Sequence, residues 1–172
     1  DGSSPNARDI ITKFAFSKQQ NRLKSGKILH LIVKELDKVD LSPEAVSNHD
    51  MGYIFEELIR KFSEQSNETA GEHYTPREVI RLMVRLLLEP DASRIKGESK
   101  IIEMYDPAMG TGGMLTIGKE YIQKKINPDA EVYLYGQELN PQTYAIAKSD
   151  MLIKGEDADR IKGGSGENSE DS

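Results

Sequence analysis

Residues 100–153 follow an order that strongly limits the possible folds: a strand, a glycine-rich loop, a helix, a second strand and a second helix. The apolar run at 100–105 predicts a buried strand, and a second strand is predicted at 131–137. Asn140 and Pro141 are typical of the start of the second helix. Strands that alternate with helices form a parallel sheet with right-handed crossovers. We therefore predict an α/β unit of the doubly wound type.

The loop after the first predicted strand is the best candidate for a ligand site. Gly110, Gly112 and Gly113 remove side chains where the chain turns and a ligand must come close. In this type of sheet the ligand lies beyond the carboxyl ends of the strands, beside the start of the next helix. Glu138 ends the second strand, where a carboxylate can accept hydrogen bonds from a ribose diol. The pattern predicts a ligand that carries a nucleoside.

Two phosphate-binding signatures fit the loop poorly. The dinucleotide pattern Gly-x-Gly-x-x-Gly needs glycine at position 115, where this chain has leucine. The phosphate-loop pattern is approached by Gly113 with Gly118 and Lys119, but Glu120 replaces the required hydroxyl and the match lies within a predicted helix. A nicotinamide-dependent oxidoreductase therefore remains only as an alternative.

The rest of the chain divides into two regions of different character. Residues 1–70 have helical periodicity throughout, including one helix capped by Asp50, and we predict an N-terminal helical domain there. Residues 71–155 begin with a capping box at Thr75 and contain the α/β unit. Residues 156–172 are acidic and rich in glycine and serine, which predicts a flexible tail.

Composition excludes several classes of protein. No apolar run is long enough for a membrane span, and no basic flank with an apolar stretch marks a secretory signal. The absence of cysteine excludes disulfides and zinc–thiolate sites and fits a reducing cytoplasm, so we expect no metal site and a cytoplasmic protein. With a net charge of -6, the chain as a whole is too acidic for simple phosphate-backbone binding.

Three segments resemble one known family in order and spacing. They are Gly71-Glu72-His73-Tyr74-Thr75-Pro76-Arg77, Asp106-Pro107-Ala108-Met109-Gly110-Thr111-Gly112-Gly113 and Gly136-Gln137-Glu138-Leu139-Asn140. They resemble motifs of S-adenosylmethionine-dependent DNA adenine-N6 methyltransferases, in particular the modification subunit of Type I restriction–modification systems. The resemblance covers roughly residues 20–155. It implies a helical N-terminal domain followed by a partial Rossmann-like methyltransferase domain.

The resemblance also implies roles for matching residues. Glu72, His73, Tyr74, Thr75, Pro76 and Arg77 would line the methionine end of the cofactor S-adenosyl-L-methionine. Asp106 would help to bind its amino-acid group, and Gly110, Thr111, Gly112 and Gly113 would let the backbone approach it. Glu138 would bind the ribose hydroxyls, and Leu139 would pack on the adenine ring.

One family motif is missing. The catalytic tetrapeptide, Asn or Asp followed by Pro-Pro and an aromatic residue, has no match, and we expect this chain to be an N-terminal fragment that is inactive alone. The resemblance implies a DNA-specificity subunit, a restriction subunit and double-stranded DNA as partners. A non-catalytic helical scaffold that binds the specificity subunit is a further alternative.

Overall fold

The computed structural model describes residues 4–14, 16–42, 44–65 and 75–163. Eight α-helices and three strands are found in these residues. The elements in chain order are α1 (Pro5–Lys13), α2 (Phe16–Ser25), α3 (Leu29–Leu36), α4 (Asn48–Gln65), α5 (Arg77–Leu88), α6 (Ala92–Ile95), β1 (Ile101–Asp106), α7 (Gly113–Tyr121), β2 (Glu131–Glu138), α8 (Pro141–Ile153) and β3 (Ile161–Gly163). A π-helical segment, Ile122–Ile126, extends α7, and a 3-10 turn, Ala158–Arg160, precedes β3.

The three strands form one parallel sheet in the order β1-β2-β3. Asp106 pairs with Gly136, so the glycine loop leaves β1 beside the last residues of β2. The expected flexible tail is wrong for residues 156–163, because β3 pairs with β2 from Gly136 to Glu138. Three residues are too few to show an alternating pattern, so pairing with β2 and not local sequence determines this strand.

The core lies between one face of the sheet and the helices that follow the strands. Val132 and Leu134 of β2 are buried and face α7 and α8, which contribute Leu115, Ala147 and Met151. Helix α5 packs on α7 through Ile80, Val84 and Leu88. The other face of α5 is exposed, and so is the face of β1 that carries Ile101, Glu103 and Tyr105, so β1 is not the buried strand expected from its apolar sequence.

The N-terminal helices contact the α/β unit mainly through α8, on which both α1 and α4 pack. Within the region of continuous helical periodicity, α2 and α3 are two separate helices. Lys27 adopts a left-handed φ of 57°, and Ile28 donates its N–H to the Leu23 carbonyl, which together end α2 in a Schellman turn. The division of the chain at residue 70 stays a prediction.

Two expected helix caps are wrong. Helix α5 begins at Arg77 with Pro76 in the cap position, and the Thr75 side chain makes no capping hydrogen bond. For α4 the cap is Ser47, whose hydroxyl accepts the Asp50 N–H at 3.1 Å and donates to the Asp50 carboxylate at 2.6 Å. Asp50 therefore lies in the first turn of α4 and is bonded to the cap side chain, and it is not the cap itself. Among the described residues, no helix is long and apolar enough to cross a membrane.

Candidate functional site

The glycine loop is held against the end of β2 by two hydrogen bonds. The Met109 N–H donates to the Gln137 carbonyl, and the Gly110 N–H donates to Oε2 of Glu138, each at 3.0 Å. Oε1 of Glu138 accepts the Asn140 N–H at 2.7 Å. Glu138 therefore lies beside the loop, as the sequence predicts, and it also braces the loop and the turn into α8.

Each glycine of the loop serves a different purpose. Gly110 and Gly112 have left-handed φ angles of 57° and 86°, which disfavour other residues. A Cβ on Gly110 would meet no heavy atom within 4 Å, so this position borders open space. A Cβ on Gly113 would lie 2.7 Å from Cδ1 of Ile80, so this glycine allows α5 to pack closely. Gly112 ends the loop as the cap residue of α7, and as a glycine it gives the first N–H groups of that helix no side-chain cap.

A cavity of about 690 Å³ opens at the carboxyl end of β1. Its lining combines loop residues, apolar residues of α5 and β1, and Thr75. The predicted site residues along it are Thr75, Asp106, Gly110, Thr111 and Gly113. Its size is suited to a small-molecule ligand. Gly110 and Gly113, the first residue of α7, bring backbone without a side chain to the wall of this cavity.

The remaining predicted site residues lie at different distances from this cavity. Glu138 and Leu139 are not part of its lining, but Glu138 bonds Gly110 at its rim, and the adjacent Leu139 is 70% exposed. Gly112 is buried behind the loop. Glu72, His73 and Tyr74 lie outside the described residues. Pro76 starts α5 and is exposed.

Asp106 has a structural partner of its own. Its Oδ1 accepts the Ala108 N–H at 3.0 Å, which closes a turn at the start of the loop. The side chain is half-buried and borders the cavity. The second carboxylate oxygen is thus the one that the turn leaves for a ligand.

Arg77 takes part in a different arrangement. Its Nε lies 2.6 Å from Oε1 of Glu56, its Nη2 donates to Oε2 at 2.9 Å, and its guanidinium lies 5.0 Å from the Tyr53 ring centre. Glu56 and Tyr53 belong to α4. Arg77 therefore joins α5 to α4, and it does not line the large cavity.

Sequence reasoning missed two contributors to the site. Met109 anchors the loop through its N–H and packs on Gly136, where any Cβ would collide with its sulfur. A glycine within a predicted strand was the available signal of that close approach. Asp150 is only 7% exposed and borders a small cavity behind the loop that is also lined by Thr75 and Thr111.

Asp150 is an incompletely satisfied carboxylate. Oδ2 accepts from Lys154 Nζ at 2.6 Å, whereas Oδ1 has no hydrogen-bond partner among the described residues. Burial raises the pKa of Asp150 above its usual value, although the nearby Lys154 and Arg77 charges act in the opposite direction.

Residues 46–171, most of the chain, match the family described as N-6 DNA Methylase. The chain belongs to the N-6 DNA Methylase family. This membership confirms the family resemblance predicted from the sequence motifs.

Individual members of the N-6 DNA Methylase family are similar over much of this chain. The Type I restriction enzyme EcoEI methylase subunit of Escherichia coli is 32% identical over 156 residues, which cover 87% of this chain and 29% of that protein. The MjaVII methylase subunit of Methanocaldococcus jannaschii is 34% identical over 136 residues, 78% of this chain and 21% of that protein. The chain spans less than a third of the length of these relatives.

A solved structure also resembles this N-6 DNA Methylase family member. The Type I restriction–modification system methyltransferase subunit of Streptococcus thermophilus superposes with a TM-score of 0.55 at 29% identity, over 80% of this chain and 27% of that one. The predicted fold class, helices followed by a partial Rossmann-like methyltransferase domain, is confirmed.

Proposed function

We propose that this chain binds S-adenosyl-L-methionine and forms the cofactor-binding part of a DNA adenine-N6 methyltransferase. The observation that carries the proposal is the hydrogen bond between Glu138 and Gly110, which puts a carboxylate beside an open glycine loop. The space around Gly110 fits a ligand that approaches the backbone closely. Family membership supports the choice of this cofactor over a nicotinamide.

Glu138 binds the ribose in this proposal. Each of its oxygens accepts one backbone N–H, from Gly110 and from Asn140. A carboxylate oxygen has a second lone-pair direction, so both oxygens can still accept from the two ribose hydroxyls. Since the backbone already fixes the carboxylate, binding the diol requires little further ordering of this side chain.

Leu139 covers the adenine ring. It is 70% exposed and follows Glu138 directly, so a ring bound beside the ribose would bury it. Burial of a leucine side chain contributes about 2 kcal/mol. This contact selects for a flat apolar group and not for a particular pattern of hydrogen bonds.

The methionine end extends toward Asp106 and Thr75, which border the same cavity. We assign the second Asp106 oxygen to the amino group. Thr111 and Gly113 border the ligand, and the buried Gly112 between them sets the turn that brings the backbone close to it. Glu72, His73 and Tyr74 complete this end of the site in our proposal, with Pro76 starting the helix behind them. Arg77 supports the segment from behind through Glu56.

When bound, S-adenosyl-L-methionine supplies an activated methyl group on sulfur. We propose that the acceptor is the N6 atom of an adenine turned out of double-stranded DNA. The Asn/Asp-Pro-Pro-aromatic motif has no counterpart in the 172 residues, so we propose that this chain alone does not methylate DNA. A DNA-specificity subunit and a restriction subunit are the proposed partners, by analogy with relatives named as Type I methylase subunits.

Calorimetric titration with S-adenosylhomocysteine, with NADH as the control ligand, tests the proposal. We expect saturable binding of S-adenosylhomocysteine and no heat from NADH. Glu138→Ala should weaken that binding, whereas Glu131→Ala, at the opposite end of the same strand, should not. Binding of NADH alone, or of neither ligand, contradicts the proposal.

A further inference from the structure

Helix α1 is joined to α8 by a cluster of three polar side chains, Asp9, Tyr144 and Lys148. Lys148 Nζ lies 2.9 Å from Oδ2 of Asp9 and 2.9 Å from the Tyr144 hydroxyl. The Tyr144 hydroxyl donates to the same Asp9 oxygen at 2.9 Å. The Lys148 side chain is 8% exposed, so Asp9 balances an ammonium group that water barely reaches.

The cluster is important for α1 because no residue of that helix is fully buried. Burial alone would lower the pKa of Lys148, but the hydrogen bonds that its ammonium donates to Tyr144 and Asp9 raise this pKa above its usual value. Without Asp9, the ammonium would have to move toward solvent, and the α8 turn that carries it would have to adjust.

Tyr144 connects this cluster to the candidate site. Its N–H donates to the Asn140 carbonyl at 2.8 Å, and its ring packs directly on Gly163, where a Cβ would collide with it. Gly163 is in turn the register partner of Glu138 in the β2–β3 pair. The Tyr144 ring thus contacts the strand residue that pairs with Glu138, and its backbone belongs to the first turn of the helix that Asn140 caps.

We infer that Asp9, Lys148 and Tyr144 are positioning residues that set the Glu138–Asn140 turn, so that cofactor affinity depends on α1. The inference rests on the proposed function for its effect on affinity. The other half of the inference, that α1 orders the Glu138 hydrogen bonds, does not depend on the ligand and is tested without it.

Asp9→Asn is the primary test variant, because it removes the negative charge while preserving the shape of the side chain. Asp9→Glu keeps the negative charge and should therefore keep the affinity for S-adenosylhomocysteine. The matched control is Asn127→Ala, which removes three hydrogen bonds: two of 2.8 Å to the Ile95 and Gly97 carbonyls and one of 3.1 Å from the Asp129 N–H. Asn127 precedes β2, at the amino end of the sheet and away from the Glu138 turn.

Two measurements are needed at a temperature where all four proteins are folded. In titrations with S-adenosylhomocysteine, Asp9→Asn should weaken binding by about tenfold, while Asp9→Glu and Asn127→Ala stay within about twofold of the unmodified chain. In amide hydrogen exchange, Asp9→Asn should accelerate exchange at Gly110 and Asn140, whose N–H groups Glu138 accepts, and the control should not.

The outcomes separate the two proposals. If the unmodified chain fails to bind S-adenosylhomocysteine, the proposed function fails, and the exchange rates at Gly110 and Asn140 still test the positioning role. Unchanged exchange in Asp9→Asn overturns the inference, as does equal acceleration in Asn127→Ala. If Asp9→Asn accelerates exchange at Gly110 and Asn140 but leaves S-adenosylhomocysteine affinity unchanged, α1 has only a structural role, and the inference about affinity is overturned.

Discussion

Glu138 accepts a hydrogen bond from the N–H of Gly110, 28 residues earlier in the chain, at 3.0 Å. The same carboxylate accepts the Asn140 N–H at 2.7 Å. One side chain at the end of β2 therefore fixes the glycine loop and the entry to α8 together. In the proposed function this carboxylate also binds the ligand, so its replacement should weaken both the loop and the binding of the ligand.

Replacement of Glu138 should affect binding and stability in a graded way. Glu138→Gln keeps one accepting oxygen and loses the other, whereas Glu138→Ala loses both bonds. We expect Glu138→Ala to lower the free energy of unfolding by about 2 kcal/mol and to reduce S-adenosylhomocysteine affinity more than tenfold, with Glu138→Gln between it and the unmodified chain. Urea unfolding and calorimetry measure the two quantities, and equal affinity in all three proteins would contradict the ribose assignment.

Gly113→Ala should destabilise the chain by crowding α5. The new methyl group would lie 2.7 Å from Cδ1 of Ile80, a distance that forces a shift of packed atoms. Overpacking of this kind costs about 1–3 kcal/mol. The double variant with Ile80→Val, which removes that carbon, should recover much of the loss in urea unfolding. A double variant less stable than either single variant would show that the contact is not the cause.

Gly110→Ala should affect ligand binding far more than stability. Its Cβ meets no protein atom, so the folded chain loses only about 1 kcal/mol for the left-handed φ of 57°. The methyl group would, however, occupy space on the loop surface where the cofactor is proposed to lie. Gly155→Ala is a matched control, since Gly155 has a φ of 75° and equally open surroundings. We expect similar unfolding midpoints for both variants and loss of S-adenosylhomocysteine binding only for Gly110→Ala.

Asp150→Asn should change how stability depends on pH. Burial raises the pKa of Asp150 in the folded chain above its ordinary value of 3.8, so the folded state takes up this proton at a higher pH than the unfolded state. Between those two pKa values the Asp150 contribution to stability increases as pH falls, and it decreases as pH rises. The unfolding free energy of the unmodified chain minus that of Asp150→Asn should therefore fall as pH rises above about 4. A flat or rising difference in urea unfolding from pH 4 to 7 would contradict the effect of burial.

The parts of the fold that the sequence predicts are those with local signals. Asn140 and Pro141 mark the start of α8, and the Asn140 side chain does accept the Gln142 and Thr143 N–H groups. The apolar pattern predicts the extent of β2. The position of Glu138 beside the loop follows from the parallel sheet, because the carboxyl ends of parallel strands meet at one edge.

The parts that the sequence does not predict depend on long-range contacts. Lys148 and Asp9 are 139 residues apart, and nothing in either neighbourhood indicates their pairing. Strand β3 is stabilised by its pairing with β2 and not by its own sequence. Thr75 does not cap α5, because that helix begins two residues later, at Arg77. Burial of Asp150 on α8 is long-range too, because α4 packs on α8, and a helical pattern alone does not indicate that contact.

Strand β1 pairs with β2 on one side, and in the described part of the chain its other edge has no partner strand. Ile101 and Tyr105 add exposed apolar surface at 64% and 62%. An extended peptide can add its own backbone to such an edge. We therefore expect the purified chain to self-associate through β1, to a degree that increases with protein concentration. A lysine on this strand, as in Ile101→Lys, should suppress the self-association.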